Sequence, residues 1–310
     1  MVDLSIVIVS WNVRDLLRQC LLSVLANLQT CEVIVVDNVS TDGSAEMVQA
    51  EFPDAHLIVN TENRGFPAAN NQGITVAQGR YVLILNPDTK VVGDALATMV
   101  AYADANPDVG VVGPQLLNED GSVQSSRRRF PTLAIALLES TWLQPCAPRR
   151  LLERYYVQDQ PDGATLDVDW VKGAALMARR EAIEQVGLMD KGYFMYSEEL
   201  DWCRRFKDAG WRVVYLPAAR IVHYGGKSSD QVVTSRHIHF QTSKVRYFHK
   251  FHGRFVGELL RWFLIGNYIW QLGLEGAKWL VGHKRPLRAE RIAAYRQVLQ
   301  SRLRPRRGGI

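Results

Sequence analysis

Residues 193–226 read YFMYSEELDWCRRFKDAGWRVVYLPAARIVHYGG, which sets Glu198, Glu199 and Asp201 side by side and returns to His223 beyond the next apolar segment. Such residue types can do chemistry. A carboxylate with reach can take a proton from a hydroxyl, and a carboxylate with an imidazole can hold a divalent cation. The same cluster also has a purely structural use. Acids behind Ser197 suit a helix N-terminus, where a serine cap and first-turn negative charge satisfy unpaired N–H groups and the helix dipole. These four positions alone leave both readings open.

A chain of 310 residues, 47% hydrophobic and 22% charged, has globular composition and room for one large or two modest domains, which excludes disordered and collagen-like classes. Cys20, Cys31, Cys146 and Cys203 are scattered without a C-x-x-C pair. That argues against a zinc knuckle and a secreted disulfide framework, and fits a reducing cytosol. Asp3 leads straight into LSIVIVS with no basic n-region or small-residue cleavage site, so export by a signal peptide is not expected. Net charge is +5, yet residues 284–310 hold nine lysines and arginines against Glu290 alone. The basic character belongs to a tail.

The elements that must position the acids follow from hydrophobic patterning. β-Branched runs at 4–10, 32–37, 56–60, 80–86 and 109–114 alternate with amphipathic stretches at 16–28, 44–51, 66–77 and 92–105. Continuous apolar strands separated by helices predict an α/β, doubly wound fold with a mostly parallel sheet covered on both faces. Ligands in such sheets sit beyond the carboxyl ends of the strands, near the point where strand order reverses. The residues there are Ser10 to Asn12, Asp37 to Ser44, Asn60 to Gly65, and Asn86-Pro87-Asp88. SWNVRD contains no glycine, which removes both the dinucleotide fingerprint and a P-loop. A bound nucleotide is held in another way.

Residues 255–281 are strongly apolar, but the stretch free of charge runs only from Trp262 to Leu274, too short for a hydrocarbon core that needs about 20 helical residues. Trp262, Trp270, Trp279 and Tyr268, with Arg261, Lys278 and the basic tail, suit an in-plane helix at an anionic membrane surface. A helix packed against the globular body is the alternative.

The ordered motifs SIVIVSWN, VVDNVSTDGS, ENRGFPAANNQGI, LILNPDT, Trp170-Val171-Lys172-Gly173-Ala174, SEELDW and VHYGGKS span residues 4–228. Together they resemble the family 2 glycosyltransferases of the GT-A fold, most closely the rhamnosyltransferase-type enzymes of bacterial polysaccharide synthesis. The resemblance implies a mostly parallel central sheet with helices on both faces and a C-terminal helical extension. It divides the chain into a nucleotide-sugar-binding half (1–114), an acceptor-side half with the catalytic base (115–228) and a basic, membrane-associating extension (229–310). It implies an inverting transfer of a sugar, rhamnose among the candidates, from a nucleotide-diphosphate donor to a saccharide or lipid-linked acceptor, with Mg²⁺ or Mn²⁺ on the diphosphate.

Residue by residue, Asp88 matches the last acid of the family's Asp-x-Asp metal motif and His223 its histidine ligand. Asn86 stands where the first acid belongs, so the diphosphate must complete the shell and metal binding by the free enzyme should be weak. Glu199 falls on the base of the acidic motif, where Asp is usual, and Glu198 remains the alternative. Asp37 matches the acid set on the nucleoside, Arg64 and Asn71 face the nucleotide, and Lys172 and Gly173, with Trp170, meet the diphosphate from the acceptor side. Asp201 and Arg205, four apart, predict a supporting pair on one helix, and Asp42 with Ser40 and Ser44 predicts a helix cap. The expected location is cytoplasmic, peripheral on the inner face of the cell membrane through residues 255–310, without nucleic acid as a partner. The incomplete Asn86-Pro87-Asp88 motif keeps a rival open, a catalytically silent nucleotide-sugar-binding or scaffold protein of the same fold.

Overall fold

A computed structural model describes residues 2–26, 31–139, 141–225 and 233–305; the motif residues Gly226, Lys227 and Ser228 and the tail residues Arg306 and Arg307 lie outside them. The strands are β1 (Leu4–Ser10), β2 (Cys31–Asp37), β3 (His56–Val59), β4 (Tyr81–Leu85), β5 (Thr89–Val92), β6 (Val109–Leu117), β7 (Val123–Gln124), β8 (Arg127–Arg128), β9 (Leu166–Asp167), β10 (Trp170–Val171), β11 (Ala175–Arg179) and β12 (Arg212–His223). The helices are α1 (Arg14–Leu25), α2 (Ser44–Glu51), α3 (Phe66–Val76), α4 (Ala95–Ala105), α5 (Leu133–Leu138), α6 (Arg149–Tyr155), α7 (Arg180–Val186), α8 (Glu198–Asp208), α9 (Val233–His252), α10 (Arg254–Leu280) and α11 (Arg285–Ser301). They form two compact units. One comprises Met1–Phe130, Glu153–Lys191 and Glu198–Ser228, the other Pro131–Leu152, Gly192–Ser197 and Ser229–Ile310.

The main sheet of the first unit runs β3-β2-β1-β4-β11-β6-β12-β5. Its first four strands are parallel. Beyond them β11 is antiparallel to β4 and β6, β12 is parallel to β6, and β5 returns antiparallel along β12. Strand order reverses at β1, which lies between β2 and β4, so a crevice opens beyond the carboxyl ends there. Alternate residues of a strand point to opposite faces. Leu4, Ile6 and Ile8 accordingly share one core with Leu17, Leu21, Met47, Val48 and Met99 of α1, α2 and α4. Val7 and Val9 share the other with Ala69, Ile74, Ile183, Trp202 and Phe206 of α3, α7 and α8. Each fully buried aliphatic side chain contributes about 1.5–3 kcal/mol. Gly73 of α3 seats on Val7 so closely that a Cβ has no room.

Two expectations change. The helix expected from residue 92 begins at Ala95, and Thr89–Val92 instead forms β5. Residue 114 lies inside β6, so the two halves placed on either side of it share one sheet.

The second unit is helical. α9 and α10 close at Gly257, where a Cβ would overlap His249, and a buried Arg288–Glu275 pair at 2.7 Å ties α11 to α10. Leu260, Leu264 and Tyr268 face inward, while Phe255, Trp262, Ile269, Trp270 and Leu280 are exposed. Tyr268 and Arg261, expected at a membrane surface, are therefore spent inside. Arg261 is buried and donates to Glu258 and to the Arg302 carbonyl. Among the described residues no helix is long and apolar enough to cross a membrane.

Candidate active site

Asp37 ends β2 and is buried; its Oδ1 accepts from the Ser40 N–H at 2.9 Å, and its Oδ2 has no partner. Asn12 locks the turn that follows: its Oδ1 accepts from the Thr41 N–H at 2.7 Å and its own N–H donates to Ser40 Oγ at 3.0 Å. Asn12 and Val39 take left-handed φ values of 52° and 67°, strain of the kind that clusters where a site must be held. Asp42 accepts from the Ser44 N–H and hydroxyl, at 3.1 and 2.6 Å. Beyond β3, Asn60 donates to Asn38 and Gln72, at 3.1 and 2.9 Å, and the Arg64 N–H donates to Asn38 Oδ1 at 3.1 Å. This amide network fixes the loop and leaves Arg64 exposed. The Asn71 amide donates to the Met189 carbonyl at 2.8 Å and accepts from the Met189 N–H at 3.0 Å. These two bonds anchor the loop after α7 and leave the amide one further N–H and one lone pair.

Asn86 and Asp88 follow β4. The Asn86 N–H donates to the Ala174 carbonyl at 2.9 Å, which joins this turn to the Lys172–Gly173 segment. Asp88 is buried, and His223, the last residue of β12, brings Nε2 to 3.5 Å from its Oδ1. Gln124 decides the tautomer. Its amide nitrogen donates to Asn118 Oδ1 at 3.0 Å and to the His223 carbonyl at 3.3 Å, so its oxygen is the atom 2.7 Å from His223 Nδ1 and accepts the Nδ1 proton. Nε2 then offers a lone pair beside the Asp88 carboxylate, buried and without a hydrogen-bond partner. A carboxylate oxygen and an oriented imidazole fit a divalent cation whose shell a ligand completes. They do not make a full cage: among the described residues no group of three His, Cys, Asp or Glu gathers.

α8 carries the acids. The chain enters it through Tyr196 and Ser197, both left-handed with φ of 69° and 64°. Ser197 therefore enters the helix from left-handed backbone and not from the extended backbone typical of an N-cap. Burial pushes the Glu198 carboxyl well above its ordinary value, and the neighbouring Glu199 pushes it further. Burial raises Glu199 as well, but N–H groups of Glu199, Gly173 and Leu200 and the Lys172 ammonium pull back. Burial lowers the Lys172 ammonium to about 8, with Arg128 adding and Glu199 opposing. Donors and a cation favour the charged form, so Glu199 ionises before Glu198. An added Cβ at Gly173 would stand 3.4 Å from Glu199 Cβ, an ordinary contact, so Gly173 lies against Glu199 without the approach itself requiring a glycine. Lys172 Nζ also reaches Gln124 Oε1 at 3.4 Å, which links Glu199 through Lys172 and Gln124 to His223 and Asp88.

Among the described residues, Ser10 Oγ, Asp37 Oδ2, Asn86 Oδ1, Glu198 Oε2, Glu199 Oε2 and His223 Nε2 are buried polar atoms without hydrogen-bond partners; others, such as Gln241 Oε1 and Arg288 Nε, lie in the helical unit. Buried polar groups are nearly always paired, so these six atoms have capacity for a polar ligand.

Residues 5–186 match the sequence profile described as Glycosyl transferase family 2. The chain belongs to this family. This glycosyltransferase is 30% identical over 278 residues, 85% of its length and 90% of the relative's, to the N-acetylglucosaminyl-diphospho-decaprenol L-rhamnosyltransferase of Mycobacterium tuberculosis. It is 26% identical over 227 residues, 71% of its length and 82% of the relative's, to the rhamnosyltransferase WbbL of Escherichia coli. The solved structure of the mannosyltransferase PcManGT from Pyrobaculum calidifontis, in complex with GDP-Man and Mn²⁺, aligns with a TM-score of 0.56 at 19% identity over 97% of this chain and 84% of that one. The fold is the expected GT-A fold.

In this glycosyltransferase Asp201 is a brace. It is fully buried and pairs with Arg205 at 2.8 Å, and Arg205 donates onward to the Val186 and Leu188 carbonyls at 2.7 and 2.8 Å. Gln124 and Arg128 carry no sequence signal of a site, because each sits on a strand of two residues in an irregular stretch. Arg128 lies 4.5 Å over the Tyr156 ring, beside Lys172.

Proposed function

We propose that this glycosyltransferase moves a sugar, rhamnose by similarity to its relatives, from a nucleotide-diphosphate donor to a saccharide or lipid-linked acceptor with inversion at the anomeric carbon. The observation that carries this reading is the set of polar groups that runs from Lys172, whose charge acts on Glu199, through Gln124 to His223 beside Asp88, with Glu199 Oε2 and His223 Nε2 buried and without hydrogen-bond partners. Asp37 receives the nucleoside, with its Oδ2 open to a base N–H or a ribose hydroxyl, and Arg64 stands beside it. Asp88 and His223 hold a divalent cation, Mg²⁺ or Mn²⁺, with Asn86 at the turn. When bound, that cation neutralises charge on the departing diphosphate. Lys172 adds a cation from the other side and Gly173 keeps the backbone close. Glu199 takes the acceptor hydroxyl proton, and one base without an enzyme nucleophile gives a single displacement, hence inversion.

The acceptor side includes a membrane. Phe255, Leu259, Trp262, Ile269, Trp270 and Leu280 are exposed on α10, and at 3.6 residues per turn these positions fall on one side of the helix. An apolar, aromatic stripe of this kind suits an in-plane helix. The name of the Mycobacterium tuberculosis relative places a diphospho-lipid on its acceptor, and a lipid-linked acceptor gives such a stripe its use here.

A panel of nucleotide sugars, dTDP-rhamnose among them, offered to purified protein with and without Mn²⁺ or Mg²⁺ tests the reading. Metal-dependent transfer is the expected result, and no donor consumption under any condition would favour the silent binding protein. Glu199→Gln should lower kcat by about 10²–10⁴-fold with donor affinity retained. Turnover at the wild-type rate would move the base to Glu198.

A further inference from the structure

Asp88 and His223 come from different segments of the α/β unit, and Thr89 joins the two. It opens β5 directly after Asp88, and in the antiparallel register of β5 and β12 it lies opposite His223. Thr89 is fully buried, as is Cys20 of α1. The Thr89 hydroxyl donates to the Asn86 carbonyl at 2.7 Å, across the Asn86-Pro87-Asp88 turn. That bond uses the hydroxyl's one proton, so in the 3.4 Å contact between Thr89 Oγ1 and Cys20 Sγ the thiol is the donor. Cys20 Sγ also lies 3.6 Å from the Asn86 carbonyl oxygen. Thiol, hydroxyl and carbonyl close a triangle on the turn.

The turn is otherwise tied at its two ends. The Asn86 N–H donates to the Ala174 carbonyl and the Asp88 carbonyl accepts from the Tyr224 N–H, each at 2.9 Å, while Pro87 between them has no N–H to give. The Thr89 hydroxyl ties the turn across this gap, and α1 backs it. Leu17, Leu21 and Val24 share the core with Cys20, and Ser23 Oγ accepts from the Val91 N–H at 3.0 Å, a second bond from α1 to β5. A valine at position 89 would fill the same volume, and a buried hydroxyl costs free energy unless it is bonded, so the contribution of threonine here lies in its bonds. We infer that Thr89, with the Cys20 thiol behind it, is a positioning residue for the cation: it fixes the turn so that Asp88 keeps its place beside His223. This rests on the cation site proposed above. With an amide at position 86 no second carboxylate can make up for a displaced Asp88, which gives the brace its use.

Thr89→Val removes the hydroxyl and keeps the volume. In the metal-free, full-length chain, hydrogen exchange followed by NMR should quicken at the Asn86 and Tyr224 amides and stay unchanged in β1 and β2. Calorimetric titration of Mn²⁺ in the presence of a nucleoside diphosphate should show affinity weakened by about tenfold, the low end of the loss for an outer-shell partner. Thr89→Ser keeps the hydroxyl and should return both measurements to wild-type values. Cys20→Ala removes only the supporting donor and should move both in the same direction by less. Exchange that is unchanged in Thr89→Val overturns the brace, and faster exchange with unchanged Mn²⁺ affinity overturns its service to the cation. Equal losses in Thr89→Ser and Thr89→Val would assign the effect to packing and overturn the role of the hydroxyl. A wild-type chain that takes up no Mn²⁺ overturns the cation reading and this inference with it, whereas binding that is equal in wild type and Thr89→Val overturns this inference alone.

Discussion

Glu198 and Glu199 are adjacent in sequence and both buried, yet only Glu199 has a cation and the Gly173 N–H beside its carboxylate. Sequence alone could not separate them, since the difference lies in what β10 and the turn after it bring to α8. The consequence is a pH profile with two sides. The acid limb of kcat/KM reports ionisation of Glu199, and burial sets it above the ordinary carboxylate range. Lys172 favours the charged carboxylate, so Lys172→Met removes that help, raises the Glu199 pKa and moves the acid limb to higher pH. In the wild type, activity should also fall as pH rises through about 8, where Lys172 loses its proton. Lys172→Arg should restore the acid limb and push the alkaline limb upward. Rate profiles for the three proteins at a saturating cation concentration check this, and an acid limb unmoved in Lys172→Met would separate Lys172 from Glu199.

At the scale of elements, much of the fold could be read from patterning. β1, β2 and β4 are continuous β-branched runs, and α1 places Leu17, Cys20, Leu21 and Val24 at helical spacing. What could not be read is pairing. β5 has four residues and exists because β12 lies alongside it, and β11 is antiparallel because it inserts between β4 and β6. The site shows the same limit. Asp37 and His223 end strands and Asp88 sits in the turn between β4 and β5, so motif order points to them, whereas Gln124 works from a two-residue strand that only tertiary pairing with β6 creates. Asn71 shows the limit from the other side, since its pairing with the Met189 backbone is a tertiary contact that leaves no local signal. Gln124 therefore makes the sharper test. Gln124→Leu removes the acceptor that fixes the His223 tautomer and should weaken Mn²⁺ binding by about 10–100-fold, the usual loss for an outer-shell partner. Calorimetric Mn²⁺ titration in the presence of a nucleoside diphosphate reads this without turnover, and unchanged affinity would mean that His223 holds no metal.

Across the whole molecule the chemistry is apportioned between two units: an α/β unit with an acid-rich, partly unsatisfied strand edge, and a helical unit with an apolar stripe. Composition blurred the stripe, because residues 255–281 mix aromatic, apolar and charged side chains without a clean boundary. Folding sorts them. Arg261, Tyr268 and Glu275 turn inward, and Trp262, Ile269, Trp270 and Leu280 turn out. Burying one such side chain in an interface is worth roughly 1.5–3 kcal/mol, so the double variant Trp262→Gln, Ile269→Gln should lose more than about tenfold in partition to vesicles. Exposed Lys284 and Arg285 add an electrostatic part on anionic lipid, about 1 kcal/mol each near the surface, which salt screens. Sedimentation with anionic and neutral vesicles at low and high salt separates the two contributions: the double variant should lose binding in all four conditions, and salt should weaken only binding to anionic lipid. Transfer to a soluble acceptor should stay at the wild-type rate in that variant, since neither residue belongs to the site. If vesicle binding is equal in variant and wild type, the stripe faces protein instead of lipid, and the variant's mass in solution would show whether a second copy of the chain covers it.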